Sequence, residues 1–380
     1  MTPTNAGSGE ADLITGADGR LYLSWVEPEG GDHVLKFARW EGDVWSSPGM
    51  IARGSDWFVN WADVPSMTVL ADGKTLFAHW LSKTGSGTYA YGVRVARSHD
   101  GGQSWSDPLA PHRDSTETEH GFVSWSPLSG DRAALVWLDG RETSGHEGHG
   151  GHGGPMTLRF ATLSADGTLA DEALIDPRVC DCCPTDLVKA ADGTLFVVYR
   201  DRSDEEIRDI SIARHDGTSW TEGKLVHADG WKIAGCPVNG PRVAVEGDLV
   251  AVAWYTVDQA DRGHVRIAFS HDAAATFEPP VEVSGPDPLG RVGLTLLPDG
   301  TAWVVWLESV KEGLAEVRLS SVNTKGERSE PIVIATTSGS RASGIPRLAF
   351  LGEDLFVAWT DVQEAEGKTP STRVLTARVR

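Results

Sequence analysis

The stretch Met67-Thr68-Val69-Leu70-Ala71-Asp72-Gly73-Lys74-Thr75-Leu76-Phe77-Ala78-His79-Trp80 contains the pattern that decides the fold. Two apolar runs, Met67–Leu70 and Thr75–Trp80, flank the pair Asp72-Gly73. Asp-Gly between apolar runs is a strong short-range signal for a β-hairpin, because the tight turn needs positive φ and Gly adopts it without strain. The stretch therefore predicts two antiparallel strands, the second of which ends in an aromatic residue.

This aromatic-ended strand recurs seven times along the 380 residues, at intervals of about 50 to 60 residues. An Asp-Gly turn or a substitute precedes each copy, and a third strand pattern usually follows it. Four antiparallel strands per unit, repeated seven times, are typical of a seven-bladed β-propeller, which is an all-β fold. The copies are Leu21–Trp25, Leu76–Trp80, Ala133–Trp137, Leu195–Tyr199, Leu249–Trp254, Ala302–Trp306 and Leu355–Trp359.

The repeat covers the chain from end to end, so we expect a single propeller domain, residues 1–380. The last unit stops after its third strand at Arg380, and residues before Ala11 would have to supply the missing outer strand. The expected blades are approximately 11–53, 63–112, 121–177, 184–228, 238–284, 291–336 and 345–380.

The chain is strongly acidic, with 34 Lys and Arg against 54 Asp and Glu and a formal net charge of −20. Nucleic acid is not an expected partner, because phosphate binding needs clustered Lys and Arg. No apolar run approaches the roughly 20 residues of a spanning helix, so no membrane span is expected. The N-terminus lacks a signal-peptide pattern. Two interpretations stay open: a periplasmic or secreted protein whose signal peptide has been removed, or a cytoplasmic one. The pattern leaves the oligomeric state open as well.

A turn between the third and fourth strands of the second unit carries a more specific motif. Ser98-His99-Asp100-Gly101-Gly102-Gln103-Ser104-Trp105 resembles the Asp box of sialidase-type propellers, and degenerate copies span Ser270–Phe277 and Arg214–Trp220. We interpret the boxes as scaffold, in which Asp accepts backbone N–H groups, Gly takes the left-handed position and the aromatic residue packs between blades. The resemblance implies a sialidase-like propeller. Sialidases of this kind have six blades, so a six-bladed ring is the alternative to the seven counted here.

All four cysteines fall in two connections between units, on the face of a propeller that usually carries function. Cys180, Cys182 and Cys183 precede the fourth unit, and Cys236 precedes the fifth. Three interpretations are open. Two disulfides would suit an oxidising compartment, a copper or zinc site would suit thiolates converging from two loops, and four free thiols would be inert. We favour the metal site, with copper as the expected ion and zinc as the alternative.

An insertion between the second and third strands of the third unit is rich in Gly and His. His146, His149, His152 and Met156 recur along it, and imidazole with thioether is a copper-like ligand set. By blade order this loop borders the connection that contains Cys180, and His120 could join the same site. The structural alternative is a surface loop with incidental His residues.

The resemblance to sialidases implies a second function. Enzymes of that family hold a substrate carboxylate with three arginines and use a Tyr–Glu nucleophile pair and an acidic Asp. In this chain Arg242, Arg291 and Arg347 begin inner strands in consecutive units, Asp63 heads the second unit's inner strand, and Tyr255 is a candidate phenol without an assignable Glu. Three arginines could bind an anionic ligand bidentately, or they could pair with acidic residues between blades.

The hypothesis that follows is a sialidase-like propeller with a soft-metal site on its channel face, acting as a metal-dependent enzyme or as a metal-binding protein. The alternatives are an exo-sialidase-like glycoside hydrolase that binds a small-molecule or carbohydrate ligand through its arginines, and a non-catalytic interaction propeller.

Overall fold

The computed structural model describes residues 2–143, 154–363 and 370–380. Within these ranges the chain forms seven antiparallel sheets and two single-turn 3-10 helices, Arg141–Thr143 and Arg341–Ser343, but no α-helix. The seven-bladed all-β propeller is confirmed, and the six-bladed alternative is wrong. None of the helices described is long and apolar enough to cross a membrane.

Each sheet is one blade, and its strands follow one another in chain order. The first strands of neighbouring blades contact each other and surround the central channel. Among the described residues, five blades have four strands and two have three. Blade 1 contains β1 (Gly9–Thr15), β2 (Leu21–Glu29), β3 (Asp32–Arg39) and β4 (Gly49–Gly54); blade 2 contains β5 (Met67–Val69), β6 (Leu76–Lys83) and β7 (Tyr91–Ser98); blade 3 contains β8 (His120–Pro127), β9 (Arg132–Asp139), β10 (Met156–Ser164) and β11 (Leu169–Val179). Blade 4 contains β12 (Asp186–Lys189), β13 (Leu195–Arg200), β14 (Ile210–His215) and β15 (Lys224–His227); blade 5 contains β16 (Arg242–Glu246), β17 (Leu249–Val257), β18 (Gly263–Ser270) and β19 (Val281–Glu282). Blade 6 contains β20 (Pro288–Leu296), β21 (Ala302–Lys311), β22 (Leu314–Val322) and β23 (Ile332–Ser338); blade 7 contains β24 (Arg347–Leu351), β25 (Asp354–Gln363) and β26 (Ser371–Val379).

The hairpin predicted at Met67–Trp80 forms, but its turn is longer than two residues. Val69 pairs with Leu76, and the Leu70 N–H donates to the Thr75 carbonyl, which leaves four residues in the turn. The Asp72 carboxylate accepts the N–H groups of Lys74 and Thr75 and the Thr75 hydroxyl, at 2.8–2.9 Å. These bonds stabilise the four-residue turn. Gly73 has a positive φ in this turn, as the sequence predicted.

The aromatic ends of the second strands lie in the core between blades. The indoles of Trp25, Trp137, Trp254 and Trp306 are fully buried. In three of these strands the indole N–H donates to an acidic residue two positions later, which satisfies the polar end of a buried ring. The pairs are Trp25 with Glu27, Trp137 with Asp139, and Trp306 with Glu308, at 2.5–2.7 Å. The aromatic repeat therefore also places a carboxylate at the end of each such strand.

The Asp box of blade 2 has the scaffold role expected of it. Asp100 accepts the N–H groups of Gln103 and Ser104 at 2.9 Å, and Gly102 takes a φ of 87°. Trp105 packs edge-on against Phe37 of blade 1, with ring centroids 6.2 Å apart. The motif thus stabilises the contact between two blades and lies away from the channel face.

The ring closes through the N-terminal residues, although these do not form a strand. The Gly7 N–H donates to the Thr372 carbonyl, the Thr4 hydroxyl donates to the Val374 carbonyl, and Ser8 Oγ accepts the Val374 N–H. Residues 2–8 therefore cover the outer edge of β26 in blade 7, where a fourth strand was expected. We call this segment the clasp.

Candidate functional site

Backbone strain marks the face where the inner strands begin. Glu10, Phe122, Val238 and Arg291 have φ between 51° and 57° at or just before the first strands of four blades. In three of these blades the strand register also shifts at this point. Non-Gly residues at positive φ cost free energy and cluster at functional sites. This face therefore has the strained backbone that is typical of functional sites.

A cavity of about 100 Å³ lies in the channel and contains five ionisable side chains in its wall. Arg242 lies 3.5 Å from Asp186, and Arg347 lies 3.5 Å from Asp12. The fifth side chain is Asp63. Each arginine in the channel cavity is therefore neutralised by a carboxylate from a neighbouring blade, which is the structural role considered for these residues.

Arg291 and Tyr255 do not belong to the wall of the channel cavity. The Arg291 guanidinium donates to the Ser340 carbonyl and the Ser343 hydroxyl, at 2.9 and 2.8 Å, and lies over the ring of Trp61. Burial, with a smaller effect from Arg341, lowers its pKa to about 10. Tyr255 packs against Trp231, which lies in the connection between blades 4 and 5. The structure therefore does not bring the three arginines and Tyr255 together in this cavity.

Asp63 belongs to a buried acidic network that the sequence did not indicate. The Tyr91 hydroxyl lies 3.0 Å from Asp63 Oδ2 and 2.7 Å from Glu119 Oε1. One phenol has one proton, so both short contacts need a proton on at least one of the carboxyl groups. Burial raises the pKa of Asp63 to about 7 and that of Glu119 to about 8, although the bonds to Tyr91 act in the opposite direction. The network therefore holds a proton near neutral pH.

The four cysteines form one cluster between the connections that precede blades 4 and 5. Cys182 and Cys236 form a disulfide, whereas Cys180 and Cys183 are free, buried thiols with Sγ atoms 3.3 Å apart. Cys180 Sγ also lies 4.0 Å from Cys182 Sγ. The clustering was expected, but which cysteines pair depends on the relative position of two loops. We call Cys180, Cys182, Cys183 and Cys236 the cysteine cluster, and its two free members the thiol pair.

Arg208 stabilises a thiolate in the thiol pair. Its guanidinium is buried, donates to Cys180 Sγ at 3.2 Å and to Glu206 at 2.8 Å, and lies 3.8 Å from Asp181. Burial opposes ionisation of Cys180, but the hydrogen bond from Cys183 and the charge of Arg208 outweigh it and lower the pKa of this thiol. Burial and the neighbouring sulfur raise the pKa of Cys183. The pair therefore keeps one proton and one negative charge, and Arg208 was not predicted.

The remaining expected metal ligands have different positions. Met156 is 2% exposed and belongs to the same hydrophobic cluster as Cys180, Cys182 and Cys183. His146, His149 and His152 lie outside the described residues. His120 lies instead with His112 and Asp114.

His112, Asp114 and His120 form a second group of possible metal ligands, which we call the histidine cluster. One nitrogen or oxygen atom of each lies within 4.8 Å of the others. The imidazoles of His112 and His120 stack with centroids 4.0 Å apart. Burial and the neighbouring His120 lower the pKa of His112 to about 4, so its ring is neutral at neutral pH. The Asp114 carboxyl has its pKa lowered to about 2 by Thr116 and the two histidines, against the effect of burial.

The sequence predicted His120 as a ligand, although with the cysteines, and it also contains a signal for His112 and Asp114. His112, Asp114 and His120 all lie in or at the end of the connection between blades 2 and 3. Connections between blades lie on the channel face, which is the argument that drew attention to the cysteines. The same argument, when it is extended to His and Asp residues, identifies this group.

Comparisons with known proteins support the fold. No family model and no curated protein matches the chain. Among solved structures, a Hadza microbial sialidase has 13% sequence identity and a TM-score of 0.51, and the match covers 97% of this chain and 65% of that one. An ulvan lyase, which is a polysaccharide lyase, has 12% identity and a TM-score of 0.53 over 83% of this chain and 79% of that one. An α-L-arabinofuranosidase of Fusarium graminearum has 14% identity and a TM-score of 0.51 over 85% of this chain and 95% of that one.

The chain is thus a β-propeller with the sialidase-like fold. At these identities the likeness shows the fold alone, since one fold supports many unrelated functions. The chain also spans less than two thirds of the length of the matched sialidase. Function has to be argued from the site.

Proposed function

We propose that the protein binds a soft metal ion, copper(I), through the cysteine cluster. The observation that carries this proposal is the thiol pair, two buried free thiols whose Sγ atoms lie 3.3 Å apart beside the Cys182 sulfur of the disulfide. Arg208 supports it, because a thiolate rather than a thiol is the metal ligand. Soft thiolates select copper(I), whereas oxygen ligands suit harder ions.

The disulfide favours copper(I) over zinc. Structural zinc sites almost always have four protein ligands. With Cys182 and Cys236 joined, two cysteines remain, and copper(I) accepts fewer ligands than zinc. Met156 belongs to the hydrophobic core cluster that contains Cys180 and Cys183, and its thioether is a further soft sulfur. Zinc remains the alternative if all four cysteines are reduced.

The same disulfide supports a periplasmic or secreted location. Disulfides persist in oxidising compartments and are rare in the cytosol. A buried thiol pair beside a disulfide would then be protected from oxidants by its burial, and a bound copper(I) ion would protect it further. This location is part of the proposal.

The test uses two matched double variants. Cys180→Ser with Cys183→Ser removes the thiol pair and leaves the disulfide, whereas Cys182→Ser with Cys236→Ser removes the disulfide and leaves the thiol pair. Copper(I) affinity is measured without oxygen, in competition with a coloured copper(I) chelator. We expect about one copper(I) per wild-type chain, loss of binding in the first variant and retention in the second.

The outcomes separate the alternatives. Unchanged copper(I) affinity after loss of Cys180 and Cys183 contradicts the proposal. Loss of binding in both variants, together with zinc uptake by the reduced wild type, supports the four-thiolate zinc alternative.

A second candidate function is glycoside chemistry in the channel. The specific observation is Asp63, a protonatable carboxyl in the wall of a cavity that also contains Arg242 and Arg347. A raised pKa suits a general acid. Turnover of a chromogenic sialoside or arabinofuranoside that Asp63→Asn abolishes would support a hydrolase. No turnover across such a panel would favour metal binding or a non-catalytic interaction propeller.

A further inference from the structure

We infer that the histidine cluster is a second metal site, separate from the cysteine cluster, where two imidazoles and one carboxylate bind a divalent transition-metal ion such as zinc. The site lies between blades 2 and 3 at the entrance to β8. Its donor atoms are nitrogen and oxygen, which suit zinc. Thiolates, in contrast, select soft ions such as copper(I).

The first observation is a buried imidazole without a hydrogen bond. His112 is 8% exposed, and neither its Nδ1 nor its Nε2 has a hydrogen-bond partner. Most buried polar groups are paired, and an unpaired one destabilises the folded state. Its Nδ1 lies 3.7 Å from Asp114 Oδ2, too far for a hydrogen bond. A metal ion bound by this ring would satisfy it.

The second observation is the orientation of His120. Its Nδ1 lies 2.9 Å from the Thr118 carbonyl oxygen, which can only accept, so Nδ1 carries the proton. In a neutral ring Nε2 is then an acceptor, yet it lies 3.0 Å from Asp114 Oδ2, which is also an acceptor. Two acceptors at this distance need a positive charge between them, which is either a proton on Nε2 or a metal ion. A backbone carbonyl that holds Nδ1–H is also the usual outer contact of a histidine that binds metal through Nε2.

Asp114 is held in the matching orientation. Its Oδ1 accepts the Thr116 N–H and hydroxyl, at 3.1 and 2.5 Å, so that Oδ2 faces the two imidazoles. Asp139 lies 3.6 Å from His120 Nε2 and adds negative charge. Arg141 binds Asp139 at 2.7 Å and lies 3.6 Å from Asp114. Arg159 also lies 3.9 Å from Asp139, so the guanidiniums pair mainly with Asp139 and Asp114 remains the carboxylate that faces the imidazoles.

The spacing of the donor atoms fits a metal ion. Two ligands about 2.0–2.1 Å from a tetrahedral zinc ion lie about 3.3 Å from each other. Asp114 Oδ2 lies 3.0 Å from His120 Nε2 and 3.7 Å from His112 Nδ1, on either side of that value. The two imidazole planes differ by 16°, so one ring has to turn before both can face a common ion. His112 is that ring, because no hydrogen bond holds it.

Cobalt(II) is a suitable probe, since its visible spectrum distinguishes nitrogen and oxygen ligands from thiolate ligands. The test is made in the Cys180→Ser, Cys183→Ser background, so that it does not depend on the proposed copper site. We expect about one cobalt(II) per chain, visible bands without sulfur-to-cobalt charge transfer, and displacement by zinc. His112→Asn and His120→Asn should each weaken binding by at least about tenfold.

His264→Asn is the matched control. This imidazole also lies between two carboxylates, Asp258 at 3.2 Å and Glu282 at 2.8 Å, but both of its nitrogens are already bonded. We expect no change in cobalt(II) affinity. Binding that survives His120→Asn, or is lost equally in the His264 variant, overturns the inference.

A second measurement requires no variant and does not depend on the folding of a substituted core. Imidazole nitrogen NMR of the zinc-saturated wild type should show His120 with a proton on Nδ1 and none on Nε2. Protons on both nitrogens with zinc present would mean an imidazolium paired with Asp114, and the metal site would be wrong.

Discussion

Gly101 and Gly102 in the Asp box both take positive φ, 76° and 87°, but a side chain at each would meet different surroundings. A Cβ at Gly102 would overlap the Phe37 ring of the neighbouring blade, whereas at Gly101 the nearest atom would be the Gly73 carbonyl oxygen at 3.7 Å. The degenerate box contains Ala274 at a φ of 64°, so the turn itself tolerates a methyl group. The contact between blades is what requires Gly at position 102.

We expect Gly102→Ala to lower the free energy of unfolding by about 2–3 kcal/mol, because it adds a steric overlap to the backbone strain. Gly101→Ala introduces the backbone strain alone and should cost about 1 kcal/mol. Urea denaturation measures both. Equal losses would mean that the Phe37 contact relaxes freely and that the packing argument fails.

The buried network of Asp63, Tyr91 and Glu119 predicts an unusual pH dependence. Burial raises the pKa of Glu119 to about 8, above its value in the unfolded chain. The folded state therefore binds more protons between about pH 4.5 and 8, and this contribution to stability is lost as the pH rises. Glu119→Gln removes the part of this dependence that Glu119 contributes, whereas the part from Asp63 remains. From pH 5 to about pH 8, the unfolding free energy of the wild type should fall relative to that of the Glu119→Gln variant.

The control for that series is Glu222→Gln, which changes an exposed carboxyl in the loop before β15. Its difference from wild type should stay flat over the same range. A flat difference for Glu119→Gln as well would show that Glu119 is ionised throughout, so that the proton of the network resides on Asp63 alone.

At the scale of elements, the clasp shows how an incomplete blade is finished. The outer edge of β26 would leave the Val374 N–H and carbonyl without partners, since blade 7 has three strands among the described residues. Thr4 and Ser8 supply side-chain hydroxyls to these groups instead of backbone groups. Ser8 is fully buried and also donates to the Asn5 carbonyl at 2.7 Å. Edge strands need such cover.

Ser8→Ala should destabilise the protein by about 1–3 kcal/mol, because it leaves the buried Val374 N–H without an acceptor. Hydrogen exchange at Val374 should accelerate more than exchange in the central strands, since the loss is local. Ser47→Ala, at an exposed position between β3 and β4, is the control and should change neither. Unchanged exchange at Val374 would contradict the role given to the clasp.

At the scale of the whole molecule, the disulfide joins the two connections on either side of blade 4. Cys182 and Cys236 are 54 residues apart in sequence, so the bond closes a loop that contains the whole blade. A loop of this length restricts the unfolded chain and stabilises the folded one by about 4 kcal/mol in the chain-entropy account.

Cys182→Ser with Cys236→Ser should therefore lower the unfolding free energy by about 4 kcal/mol under oxidising conditions. Under reducing conditions the wild type should approach the variant, because both then lack the bond. Denaturation with and without a thiol reductant measures this. A wild type that is insensitive to the reductant, with all four thiols titrating after unfolding, would mean that the disulfide is absent.

The amino-acid sequence determined the number and nature of the blades. Turn residues and the aromatic residue that ends each second strand are local properties that repeat about every 50 to 60 residues, and therefore the seven-bladed ring, its Asp boxes and the need for an N-terminal segment to complete blade 7 could be read from them. The convergence of the cysteines was also predictable, because two connections one repeat apart lie side by side in any propeller.

Only the tertiary structure decided what these groups do together. It pairs Cys182 with Cys236, brings Arg208 to Cys180, sets Tyr91 between Asp63 and Glu119, and places His120 with His112 and Asp114. It also pairs Arg242 and Arg347 with aspartates and directs Arg291 to Trp61. The physical reason is that these contacts join side chains of different connections and blades. Their distances depend on how the sheets pack and on the strained inner-strand starts, and a local pattern contains neither.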